Sequence, residues 1–198
     1  MKNLLNIKTK IVQAIFITTI LLGNLSCSTP ENPENTKEIA KDQNEDLYGN
    51  TRKEKDALFL VNAAEINLQE IQLGQLAQQL SKTEDIKNLG KMMEAEHRKS
   101  LDQLIILAHK KSIVIPKSLT SDALTANEKL LNTLSTNFDV EYSKMMVDGH
   151  RDAISLFDEA STESTDLDIK EWAVNTLPYL QSHLDYAMIC QNKYDIKK

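Results

Sequence analysis

Four long stretches of the chain carry small or apolar residues at alternating steps of three and four, and one ionisable side chain interrupts each near its middle. The first runs Phe59, Ala63, Ile66, Glu70, Leu73, Ala77, Leu80, and the second Ile86, Gly90, Met93, His97, Ser100, Leu104, Leu107. The third runs Asp139, Ser143, Met146, His150, Ala153, Phe157, Ala160, and the fourth Ile169, Ala173, Thr176, Leu180, His183, Ala187, Cys190. Such steps keep one face of a helix turned toward a partner. The chain has 4 histidines, and three of them fall in these seams. A buried polar ring costs free energy unless it finds a partner. The seams therefore predict a polar layer of Glu70, His97, His150 and His183 across an otherwise apolar core.

The helices implied by the seams run from about residue 52 to 80, 84 to 111, 138 to 160 and 166 to 193. With 5 glycines and 4 prolines in 198 residues, there is little turn material for a many-stranded fold. Ser81 to Thr83 form a connection so short that the first two helices must be antiparallel neighbours. A further helical piece from about Asp122 to Leu134, started by Thr120 or Ser121, falls between the second and third. The expected fold is all-α: an antiparallel four-helix bundle over residues 52–194, with an extra helical segment in the crossover between helices two and three. Pro178 bends the fourth helix. Leu60, Val61, Ala64, Leu68 and Ile71 form a second apolar stripe on the first helix, to be covered by bundle neighbours or by another subunit. Asp139, too far along its helix from His150 to share a site, reads as a helix cap.

The N-terminal part reads differently. Lys2, Lys8 and Lys10 precede an apolar run from Ile11 to Leu22, which has signal-peptide length and is too short to cross a bilayer as a helix. It ends in Asn24-Leu25-Ser26-Cys27, which resembles the lipobox of bacterial lipoproteins, with Asn24 where the pattern usually has an aliphatic residue. The resemblance implies a signal peptide over 1–26 and a lipid on Cys27; the plain alternative is ordinary signal cleavage. Residues 27–51 are Pro-, Asn- and Glu-rich and are expected to be a flexible tether. The net charge is −6, and no basic cluster favours nucleic acid. No glycine-rich phosphate loop, nucleophile elbow or Cys-x-x-Cys pair occurs.

Imidazole nitrogen and carboxylate oxygen converging from several helices suit a single transition-metal ion such as zinc, copper or iron. Counting about 1.5 Å of rise per residue from the turns puts Glu70 and His97 level to within a turn, with His183 the least well matched. Glu94 stands three before His97, the Glu-x-x-His spacing of di-iron bundles. Leu180 and Val147 occupy the matching positions before His183 and His150, so a dinuclear redox enzyme is disfavoured. Met93 and Met146, each four residues before a layer histidine, are additional candidate ligands but are more simply core filling. The alternative to a metal is a buried hydrogen-bond network in which Glu70 accepts from imidazole, with Tyr142, Ser100 or backbone holding the rest.

Several stretches together are similar to the bacterial envelope proteins grouped as domain-of-unknown-function family 4142. They are Phe59-Leu60 with Ala63-Ala64, Glu70 with Leu73-Gly74 and Leu76-Ala77, His97, Ile115-Pro116, Phe138-Asp139 with Tyr142 and His150, and Leu177 through Leu184. Glu96 stands beside His97 where the family usually has Asp. The resemblance covers about Leu58 to Ala187 and implies a ferritin-like four-helix bundle in the cell envelope with no established reaction. The expected protein is a lipid-anchored envelope binding module, more a binder than an enzyme. Its expected partners are the membrane, through the anchor, and a further copy or another envelope protein. A structural or interaction protein with a metal-free histidine–glutamate network is the alternative.

Overall fold

The apolar periodicity forms helices where it predicts them. The computed structural model describes residues 36–133 and 137–195, which form six helices and, among the described residues, no strand. These are α1 (Thr36–Tyr48), α2 (Arg52–Leu80), α3 (Glu84–Lys111), α4 (Ser121–Leu131), α5 (Phe138–Glu163) and α6 (Leu167–Asp195). The expected signal segment and Cys27 lie outside the described residues. No described helix is long and apolar enough to cross a membrane.

Polar side chains set several of the ends. Thr120 accepts from the Ala123 amide at the start of α4, and Asp166 accepts from the Asp168 and Ile169 amides at the start of α6. Asp139 is not a cap. Its carboxylate accepts from Ser81 Oγ at 2.7 Å and Thr83 Oγ1 at 3.0 Å. It therefore ties the start of α5 to the α2–α3 turn, where Thr83 makes no side-chain cap of its own.

Helices α2 and α3 pack along their lengths, as do α5 and α6. Both pairs are antiparallel: Gly74 faces Gly90 while Asn67 faces His97, and Phe157 meets Trp172 while His150 meets His183. The α2–α5 and α3–α6 contacts join the two hairpins. Apolar packing falls into two clusters. One gathers Phe59, Leu60, Leu104, Leu107, Phe157, Ile169 and Leu180; the other Leu73, Ile86, Leu89, Met93, Tyr142, Met146 and Leu184. The polar residues of α2, α3, α5 and α6 lie between them in sequence on every helix.

The stretch 36–48, expected from composition to be tether, is instead a packed helix. Its buried stripe is short and mixed, consisting of Thr36, Ala40 and Asn44. What holds it is backbone satisfaction more than apolar mass. Pro116 keeps the link after α3 extended, so its main-chain groups need outside partners. Asn44 supplies both kinds, donating to Val114 O at 2.7 Å and accepting from Val114 N at 2.9 Å. Tyr48 donates to Ser112 O at 2.7 Å, and Lys37 pairs with Glu65 of α2. With α4, α1 packs against α2. The second apolar stripe of α2, with Leu60, Val61 and Ala64 fully buried, is thus met by helices of the same chain.

The α2–α3 contact is close at two glycines. A Cβ on Gly74 would lie 2.6 Å from Gly90 O, and one on Gly90 would lie 2.6 Å from Gly74 O, both against rigid main chain. Gly74→Ala is expected to force the helices apart and cost about 1–3 kcal/mol, more than its gain in helix propensity. Thermal denaturation checks this; a melting temperature equal to or above that of the unaltered protein would contradict the close crossing.

Candidate metal centre

Three helices each bring one histidine to the same point. His97 on α3, His150 on α5 and His183 on α6 are 3%, 1% and 4% exposed. Their ring centroids are 5.5 Å apart for His97–His150 and 5.3 Å for each of the other two pairs. One nitrogen from each ring lies within 4.8 Å of the others.

The orientation of two rings follows from what holds their outer edges. His150 Nδ1 lies 2.8 Å from the Met146 carbonyl, one turn back on α5. A carbonyl oxygen only accepts, so Nδ1 carries the proton and Nε2 keeps its lone pair. His97 Nδ1 lies 3.0 Å from Asn67 Oδ1, while Asn67 Nδ2 donates to Ala63 O at 2.8 Å. The amide nitrogen is thus committed to its own helix and the oxygen faces the ring, which gives His97 the same tautomer. His150 Nε2 faces His183 Nδ1 at 3.3 Å, and His97 Nε2 is buried without a partner among the described residues. An Nδ1–H held by an oxygen, with the opposite nitrogen free, is the usual arrangement of a metal-binding histidine.

Electrostatics keep the rings neutral. Burial pushes His150 and His183 down to about 4. His97 is held well below its ordinary value, first by burial and then by the two neighbouring rings. Neutral imidazole is the form that ligates, so a metal competes with few protons at neutral pH.

The other candidates are placed elsewhere. Glu70 is buried, but its Oε1 is 4.0 Å from His150 Nδ1, the nitrogen already bonded to Met146. It stands behind that ring, close to Gly149, whose added Cβ would lie 3.3 Å from Oε1. Its Oε2 has no partner among the described residues, and burial pushes the carboxyl up to about 8. Glu94 turns toward Gln75, Gln78 and Arg98, whose hydrogen bonds hold it down at about 2. Met93 and Met146 pack in the apolar cluster on the α2–α3 turn side, and Met146 serves His150 through its carbonyl. The α2 residue that reaches the histidines is Asn67. Its sequence signal was slight: an amide at 67, one turn from Ala63 and Ile71, in an otherwise apolar stripe.

These shifts fix how the metal-free protein answers pH. The histidines bind fewer protons folded than unfolded, so stability falls as pH drops from the ordinary 6.5 toward about 4. Glu70 keeps its proton folded where the unfolded chain has lost it, so stability also falls as pH rises from 4.5 toward about 8. In Glu70→Gln the second loss should vanish while the first remains, as read by urea denaturation with a chelator present. A variant that loses stability toward alkaline pH as steeply as the unaltered chain would place the titration elsewhere.

Neither a curated protein nor a solved structure matches the chain. A family model does match, over residues 42–189, a span that begins within α1 and includes all three clustered histidines and Asn67. The chain belongs to the family described as a domain of unknown function, DUF4142.

Proposed function

We propose that this is an envelope-anchored binding domain that holds one transition-metal ion between His97, His150 and His183. In this reading α2, α3, α5 and α6 form a ferritin-like antiparallel four-helix bundle. Helix α4 is the extra segment of its crossover, and a lipid on Cys27 ties the domain to a membrane. The basic, apolar and lipobox-like segments before Ser28 support the anchor.

One observation carries the metal: among the described residues His97 Nε2 is buried with no partner, while its Nδ1 proton is committed to Asn67. Among the described residues, a network without metal leaves that lone pair unmet, a cost of about 1–3 kcal/mol. Glu70 cannot relieve it, lying 4.0 Å from His150 on the wrong side of the ring. An ion among the three nitrogens satisfies all three lone pairs at once. Three imidazoles without thiolate suit zinc or copper first, with iron also served. The binding reading is favoured over the interaction reading here because α1 and α4 pack against the helix whose second stripe suggested a partner. Among the described residues no carboxylate joins the group of three rings, which disfavours a dinuclear redox centre.

Elemental analysis of the mature chain, purified without an affinity tag, tests the proposal. About one metal per chain is expected, and His97→Ala with His150→Ala should abolish it. A chain that carries no metal and takes up none of zinc, copper or iron would overturn the proposal.

A further inference from the structure

Three histidines leave a tetrahedral ion one position short, and the surrounding protein does not fill it. No carboxylate or thiol among the described residues joins the three rings. Glu70 sits behind His150, Glu94 is engaged on α2, and Asn67 Oδ1 is taken by His97. Three protein ligands with an open fourth position is the pattern of a zinc site that exchanges ligands, as opposed to a closed structural one.

A cavity of about 480 Å³ reaches the cluster, with His97 and His183 both in its wall. That volume suits a small organic molecule and far exceeds what a single water needs. Its apolar wall consists of Ile66, Phe157, Trp172, Tyr179 and Leu180. Phe157 and Trp172 pack against each other at 5.2 Å, so this side of the cavity is a preformed aromatic surface. Glu96 and Glu171 line it with one cation, Lys99, whose ammonium lies over the Tyr179 ring at 5.7 Å, while Asp168 in the same wall is paired with Lys110 and Lys111. A multiply charged anion must pass the two glutamates, and a cation meets repulsion from the metal. An uncharged donor on a flat apolar body meets neither.

We propose that, given a metal at the three histidines, this cavity delivers to its fourth position a small planar molecule bearing one neutral nitrogen or oxygen donor. The inference rests on the metal reading, and the experiment separates the two. The mature chain is loaded with cobalt(II), whose visible bands report the first shell, and titrated with imidazole, 4-phenylimidazole and inorganic phosphate. Cobalt content is measured on the same samples. Both azoles should shift the bands, 4-phenylimidazole about tenfold more tightly than imidazole because the aromatic wall takes its ring. Phosphate should leave them unchanged. Asn175→Trp, at an exposed residue of the cavity wall, should keep cobalt and lose the advantage of the phenyl group. Bands that ignore both azoles while cobalt stays bound, or that follow phosphate equally, would overturn this inference and leave the metal reading standing. A phenyl advantage that survives Asn175→Trp would do the same. Failure to take up cobalt would overturn both.

Discussion

A layer of nitrogen lone pairs divides the core of this protein, and the packing on either side is arranged around it. Along α2, residues up to Ala64 belong to one apolar cluster and those from Leu73 to the other, with Asn67 and Glu70 between. The same switch occurs at His97, His150 and His183 on the other three long helices. Each cluster can be filled by apolar side chains of the right volume, and such filling tolerates change. The layer between them cannot, because an unmet polar atom costs more than a misplaced methyl group. Asn67 and the Met146 carbonyl satisfy the outward protons of two rings. Among the described residues, His97 Nε2 is the ring nitrogen left without a partner, and the proposed metal would answer it together with His150 and His183.

The same accounting explains α1. A segment poor in bulky apolar residues cannot offset its ordering entropy by burial, which is why its composition suggested a tether. The link from Ser112 to Ser118 changes the balance by offering main-chain donors and acceptors that have no helix of their own. Asn44, Tyr48 and Thr36 bond to Val114, Ser112 and Ser118 along it. A few well-placed hydrogen bonds, plus Ala40 buried against the domain, order thirteen residues. Asp139 does similar service for the α2–α3 turn.

Much of the fold was legible in the sequence because periodicity is a local signal. The spacing of apolar residues located α2 and α3 at their observed ends and found α5 and α6 to within a few residues. It also marked the three histidines as one group. The site's details were less legible, because they depend on helix rotation as well as depth. Counting rise along the axis ranked His183 last, yet it lies 3.3 Å from His150. Glu70 passed the depth count and is turned toward Gly149. Asn67, one turn earlier, occupies the place expected of it. Depth follows from residue number, whereas rotation follows from how side chains such as Gly74 and Gly90 let the helices approach. The pairing of α1 with the link was illegible for a further reason: it joins residues about sixty to eighty apart through a few isolated hydrogen bonds, which leave no periodic trace.

X-ray absorption at the edge of any metal that copurifies with the protein tests the central claim most directly. For zinc, the account predicts three imidazole nitrogens at about 2.0–2.1 Å, one further light atom and no sulfur. A sulfur shell would point to Met93, Met146 or Cys190, and a shell of oxygens alone would point to the acidic surface. Either would contradict a metal held by His97, His150 and His183.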